Sequence, residues 1–312
     1  MPEVSTFAIV CLVAFGILFT SSAAIYLLLA LKPGNETFQK VKKIIHSWWV
    51  IIGTVLLSFA FGKWGILSLF FLLSIFLVRE YMAVSRVNIK KEMNLILFFL
   101  TAGQYAMLSF EQFRGFQIWI PMMSLWIIPG LIIFRALIQN MDLIFSVAFG
   151  LSMTIFYLSH LPALYVFHNK LGFSENQTLY AMMTLLLLTW GNDVFQFLSG
   201  KMFGRLKIVP QVSPNKTLAG FIGGILCSGA ISVLIFPMFL GLKTEQSLLI
   251  GVVLSVTGMF GDLFFSAVKR NMGTKDFSDL LPGHGGILDR IDSLIFTAPI
   301  FFHLILLMKE GL

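Results

Sequence analysis

The sequence predicts an all-α, polytopic integral membrane protein of about ten transmembrane helices (eight to ten). Three observations predict it. Apolar residues make up 57% of the 312-residue chain and charged residues only 12%, about half the charged share of soluble proteins. The mean hydropathy is +0.89. The apolar residues also come in runs, most of them long enough to cross a bilayer at about 20 residues per crossing. A soluble globule could not hide this much apolar surface behind so few charges. A soluble enzyme, a disordered chain and a secreted disulfide scaffold are therefore excluded. Cys11 and Cys227 lie inside apolar runs and read as small buried hydrophobes.

The first run, 7–31, follows an acidic start, Met1-Pro2-Glu3-Val4. A signal peptide has a basic start and a small-residue cleavage site, so this run reads as a retained helix. Further runs follow at 48–62, 65–84, 93–110, 118–134, 143–167, 178–199, 217–237, 247–268 and 291–308. The second is short, and only Gly62-Lys63-Trp64-Gly65 separates it from the third, which predicts a re-entrant pair or a tight hairpin. Basic residues then set the sidedness. With the N-terminus outside, 17 of the 22 Lys and Arg fall in inside segments and 5 outside. The split places the basic loops in the cytoplasm and both termini outside.

The chain divides by character. Residues 1–175 are mostly plain apolar spans. Residues 176–312 carry nearly all the polar chemistry, with cytoplasmic loops at 200–216 and 269–290. Asp262 lies in an apolar span, where a carboxylate is costly and marks a functional candidate. A dense polar block follows: Ser266, Lys269-Arg270, Lys275-Asp276, Asp279, Pro282, His284-Gly285-Gly286, Asp289-Arg290 and Asp292. An ordinary positive-inside loop explains the Lys and Arg but not four Asp or the glycine turn. Asp289 and Asp292, three apart, share a helix face. With Asp262 they form a set that suits Mg²⁺, which takes a few carboxylates plus substrate phosphates. The Gly285-Gly286 turn lets backbone N–H groups approach a phosphate. Lys269, Arg270 and Arg290 complement polyphosphate charge.

A second cluster lies upstream. Asn192, Asp193 and Gln196 sit near the end of a span, and Ser213-Pro214-Asn215-Lys216-Thr217 begins the next. A helix start of this kind is a phosphate seat, although capping by Ser213 and a topogenic Lys216 explain it equally well taken alone. Gly220 to Gly224 reads as helix packing, Trp48-Trp49 as an interface anchor, and His160 as a hydrogen-bonded structural residue.

The 266–292 block resembles the motif of the phosphatidate cytidylyltransferases, the CDP-diacylglycerol synthases. Its pattern is Ser-x-apolar-Lys-Arg, then Lys-Asp, then Pro-x-His-Gly-Gly-apolar-x-Asp-Arg-apolar-Asp, and each required position is filled from Ser266 to Asp292. The resemblance covers roughly 185–300. Two places depart: Ala219 stands where the family commonly has an acid, and Val194-Phe195 follow Asp193 where a small residue and Tyr are usual. These departures keep open a paralogue with another lipid phosphate.

The resemblance implies Mg²⁺-dependent cytidylyl transfer from CTP to phosphatidic acid, giving CDP-diacylglycerol and pyrophosphate in phospholipid biosynthesis. It implies metal carboxylates at Asp262, Asp289 and Asp292, with room for a monovalent ion such as K⁺, and catalytic roles for these with Lys269 and Arg270. Substrate contacts would come from Asp193, Ser213, Asn215, Lys216, Thr217, Lys275, Asp276, His284, Gly285, Gly286 and Arg290. It implies a multi-pass protein of a bacterial inner membrane with a cytoplasmic-facing site, no nucleic-acid partner, and room for a homodimer. The competing readings are a CTP-dependent lipid kinase and an ion-coupled transporter. Against the latter, the chain lacks a two-fold internal repeat.

Overall fold

The computed structural model describes residues 6–85, 91–135, 141–280 and 285–310. These residues are mostly helical, joined by loops, with one isolated antiparallel bridge, Lys207 to Thr217, and no strand among them. The helices are α1 (Thr6–Leu31), α2 (Glu36–Ala60), α3 (Gly62–Val84), α4 (Lys91–Ser109), α5 (Phe113–Arg135), α6 (Met141–Leu151), α7 (His160–Val166), α8 (His168–Leu171), α9 (Glu175–Phe203), α10 (Leu218–Leu240), α11 (Thr244–Asn271) and α12 (Leu288–Glu310). A π-helical stretch, Ser152–Tyr157, joins α6 towards α7.

Each of the ten apolar runs falls on this helical scaffold. Among the described residues, six stretches are long and apolar enough to cross a membrane: Glu36–Ala60, Gly62–Val84, Ser146–Val166, Leu218–Leu240, Thr244–Asn271 and Leu288–Lys309. The molecule is thus an all-helical membrane protein.

Local chemistry sets the helix ends. The Asn35 side chain accepts the Phe38 N–H at 3.1 Å, so α2 starts twelve residues before its apolar run. Ser174 and Gln177 cap the start of α9 reciprocally. The second and third runs form a tight helical hairpin whose turn lies at Phe61–Gly62, with Gly62 at φ +59°. Lys63, Trp64 and Gly65 are already inside α3. A Cβ on Gly65 would fall 2.2 Å from the Ser58 carbonyl oxygen, so only glycine permits this approach.

The core is continuous across the chain. Phe116 from α5, Leu161 and Leu164 from α7, and Phe301 and Phe302 from α12 are fully buried. His160 sits among Phe116, Phe156 and Phe302, with Nδ1 2.9 Å from the Phe156 carbonyl, in keeping with a structural role. Both tryptophans expected at an interface serve helix packing. Trp49 donates to Ser22 at 2.9 Å, and Trp48 meets the Trp190 ring edge-on at 5.1 Å.

The helices that carry the site, α9 to α12, pack through small and polar residues, as membrane helices do. A Cβ on Gly220 would lie 2.5 Å from the Gln196 carbonyl, and one on Gly224 2.7 Å from Asn192 Oδ1. Buried Asn192 binds three helices together. Its Oδ1 accepts from Ser228 at 3.3 Å and Ser255 at 2.7 Å, and its Nδ2 donates to the Ser255 carbonyl at 3.3 Å. Thr189 and Thr297 join α9 to α12 at 3.0 Å.

Candidate active site

The polar residues of α9 to α12 and their loops gather at two neighbouring poles. The first is centred on Lys216. The α9–α10 loop folds back on itself: the Ile208 N–H donates to the Lys216 carbonyl at 3.2 Å, and the Leu218 N–H to the Leu206 carbonyl at 2.9 Å. This turns Lys216 into the helices. Its Nζ lies 2.6 Å from Asp262 Oδ2 on α11, 3.9 Å from Asp193 Oδ1 on α9, and donates to Gln196 Oε1 at 3.0 Å. Burial opposes the ammonium charge, but Asp262 and Asp193 outweigh it and hold the Lys216 pKa above the ordinary lysine value. Asp262 Oδ1 accepts from Ser266 at 3.3 Å, one helical turn on. Asp193 Oδ2 accepts from Ser293 at 3.4 Å, whereas its Oδ1 is sealed from solvent and accepts no hydrogen bond. Asp292 is buried, with the Ser293 N–H on its Oδ1 at 2.7 Å, and it feels the charges of Asp262, Asp193 and Lys269.

The second pole is centred on Asp289, in the first turn of α12. Lys269 Nζ lies 2.6 Å from Oδ1. The Phe277 and Gly286 N–H groups both donate to Oδ2 at 2.9 Å. The Asp289 side chain is 3% exposed. Gly285 takes φ +79°, and a Cβ on Gly286 would lie 3.0 Å from the Ser278 nitrogen, so the glycine pair is needed where the loop closes on Asp289. Buried Glu80, near the end of α3, completes the pole by accepting hydrogen bonds from the Ser278 hydroxyl and from the Ile287 and Leu288 N–H groups.

A model of the cytidylyltransferase family matches residues 42–308. The chain belongs to the cytidylyltransferase family. Its members are nucleotidyltransferase enzymes, and so is this protein. It is 36% identical over 275 residues to the uncharacterised Escherichia coli protein YnbB, a match covering 88% of each chain. It is 39% identical over 136 residues to a phosphatidate cytidylyltransferase of Staphylococcus haemolyticus, covering 43% of this chain and 52% of that one. It is 43% identical over 129 residues to the Staphylococcus aureus enzyme of the same name, covering 41% and 49%. The similarity thus spans about half the length of the Staphylococcus enzymes.

In this cytidylyltransferase the expected metal carboxylates are divided. Asp262 stands at the first pole with Asp193, Asp292 is buried where it feels both of these and Lys269, and Asp289 stands at the second pole with both oxygens engaged. Among the described residues, no three Asp, Glu, His or Cys side chains converge closely enough to hold a metal alone. The first pole still fits Mg²⁺. Its donors are hard carboxylate oxygens, Asp193 Oδ1 is a buried acceptor without a hydrogen bond, and Mg²⁺ needs only one or two carboxylates beside substrate phosphates.

The other expected residues are placed unevenly. Thr217 is buried as the cap of α10, accepting from Gly220 N–H at 3.1 Å. Ser213 is half-buried in the loop turn and accepts the Lys216 N–H through its carbonyl at 3.3 Å. Asn215, Lys275 and Asp276 are exposed, and exposed Arg270 donates to the Thr274 carbonyl at 3.3 Å. His284 lies outside the described residues. Arg290 reaches from the first turn of α12 to an almost wholly apolar groove of about 350 Å³, walled by Trp48, Leu73, Leu186, Trp190 and Leu294. The sequence reading missed Glu80. The signal was available, since it is a carboxylate inside the 65–84 run and the argument applied to Asp262 applies equally to it.

Proposed function

We propose that the protein transfers the cytidylyl group of CTP to phosphatidic acid. The observation that carries this reading is the Lys216 pole, one cation among three carboxylates, together with an apolar groove that has Arg290 in its wall, close to Asp193. The first feature suits a polyphosphate with its cation. The second suits a lipid whose anionic head must meet it.

In this reading a phosphate oxygen of phosphatidic acid attacks the α-phosphorus of CTP. The bond from that phosphorus to the oxygen bridging to the β-phosphate breaks, and pyrophosphate leaves. The attacking phosphate is already ionised, so the step needs alignment and charge neutralisation more than a base. Lys216 and Lys269 bind phosphate oxygens, and Arg290 holds the acceptor phosphate at the mouth of the groove. Asp262 and Asp292, with Asp193 beside them, would hold Mg²⁺, and Asp289 would keep Lys269 in place at the second pole. The bound metal supplies Lewis-acid charge at the reacting phosphates. A monovalent ion such as K⁺ is part of the proposal. So are ten membrane crossings and a cytoplasmic-facing site, which the 17-to-5 distribution of basic residues supports, and residence in a bacterial inner membrane, which the family resemblance implies.

A second reading is a paralogue that uses another lipid phosphate. One observation favours it: similarity covers 88% of YnbB but only about half of the named transferases. The test supplies phosphatidic acid with CTP labelled at either the α- or the γ-phosphorus. Label from the α-position in the lipid supports transfer. Label from the γ-position in the lipid establishes a kinase instead. Folded protein that binds CTP yet labels no phosphatidic acid directs the search to another acceptor.

A further inference from the structure

We propose that Glu80 is a positioning residue of the active site, a carboxylate from the N-terminal helices that holds the glycine loop and the start of α12 so that Asp289 meets Lys269. Glu80 is 5% exposed. Its Oε1 accepts the Ile287 N–H at 3.0 Å and the Ser278 hydroxyl, and its Oε2 accepts the Leu288 N–H at 2.8 Å.

The placement is specific. Leu288 opens α12, so Glu80 faces N–H groups that have no partner within the helix, at the end where the helix dipole favours negative charge. An acid at this end usually comes from the helix's own first turn or cap. Here the first-turn Asp289 is joined by a second acid from a residue 208 positions before Leu288 in the chain.

Glu80 and Asp289 act on the same loop from two sides. Asp289 ties Phe277 to Gly286, and Glu80 ties Ser278 to Ile287 and Leu288. Each carboxylate thus grips both ends of the segment between Ser278 and Ile287. Gly286 lies between them: a Cβ there would sit 3.0 Å from Glu80 Oε1 and 3.1 Å from Asp289 Oδ2. Without Glu80 the described ends of the loop would lose their hydrogen bonds to α3, and Asp289 would divide its hold between the loop and Lys269. Chain halves that differ so much in character are therefore joined at the residues that handle the nucleotide. The kinetic part of this inference rests on the cytidylyl-transfer reading. The structural part does not.

The experiment compares Glu80→Gln and Ser278→Ala with the unmodified protein in detergent. It reads amide hydrogen exchange of 277–288, melting temperature, and KM and kcat for CTP. Glu80→Gln keeps the size but presents an amide group to backbone donors. The expected result is faster exchange confined to 277–288 and a kcat/KM for CTP lowered about tenfold or more, chiefly through KM. Ser278→Ala, which loses the bond to Glu80 and the one accepted from the Leu280 N–H, should shift both in the same direction by a few-fold. If Glu80→Gln does not fold, Ser278→Ala decides alone. A lower melting temperature with unchanged loop exchange and unchanged KM would make Glu80 a plain structural cap and overturn the proposal. If the unmodified protein turns over no CTP, the transfer reading falls, and the exchange data still decide the role of Glu80.

Discussion

Replacing Lys216 by alanine removes the cation from a cluster of three carboxylates. Its ammonium touches Asp262 at 2.6 Å and lies 3.9 Å from Asp193, and it also donates to Gln196 at 3.0 Å. The side chains of Lys216 and Asp262 are 19% and 24% exposed, so this pair is neither a surface pair nor fully buried. Breaking a buried pair costs about 3–5 kcal/mol, and an exposed pair is worth about 0–1 kcal/mol. An intermediate cost of about 2 kcal/mol follows. If the same ammonium meets CTP phosphate oxygens, a comparable loss applies to the nucleotide complex, about 30-fold in kcat/KM. The assay is steady-state turnover against CTP concentration, with a thermal melt of the same preparation. A raised KM for CTP is expected, with Lys216→Arg falling between the variant and the unmodified protein. An unchanged KM, with only the melting temperature lowered, would refute the assignment and leave Lys216 as a topological and structural residue.

Further outcomes follow from the same geometry. Asp289→Asn should abolish turnover, by about 100-fold or more, while the protein still elutes as a folded species, since the charge opposite Lys269 is lost but not the side-chain volume. Near-normal turnover would remove Asp289 from the site. Chelation of divalent cations by EDTA should stop the reaction and added Mg²⁺ restore it, and activity that survives EDTA would rule out the metal proposal. Gly224→Leu should lower the melting temperature through a cost of about 1–3 kcal/mol, because a Cβ there already meets Asn192 Oδ1 and Gln196 Cγ at 2.7 Å. A melt like that of the unmodified protein would show that α9 and α10 are not locked at this point. Filling the groove with Leu186→Trp should raise KM for phosphatidic acid and leave KM for CTP near its starting value, and the reverse pattern would place the lipid elsewhere.

Much of the scaffold was readable because bilayer thickness imposes a length on apolar runs, and each such run lies on helix. The residues of the Lys216 pole were readable singly, since Asp193 and Asp262 are costly inside apolar runs, but their pairing was not: the sequence set Asp262 with Asp289 and Asp292, and the structure gives it Lys216 instead. Spacing was less informative at α12. Asp289 and Asp292 are three residues apart, yet Asp289 turns back onto its own loop while Asp292 is buried toward Asp193 and Asp262. A helical face defines which residues are neighbours but not which partner each one takes. Thr217 illustrates the same point, since a hydroxyl at a helix start serves a cap and a phosphate equally well on paper, and here it caps α10. Glu80 was hidden by distance along the chain. The π-helical stretch at Ser152–Tyr157 was hidden because a run with buried residues on several sides has no polar face to reveal its pitch.

The most direct test of the account is the balance of products at the Lys216 pole. Protein in vesicles of phosphatidic acid, given CTP and Mg²⁺, should release one pyrophosphate for each cytidylyl group that becomes lipid-linked, and Asp262→Asn should lose both together. Pyrophosphate without lipid-linked product, or undiminished product from folded Asp262→Asn, would contradict it.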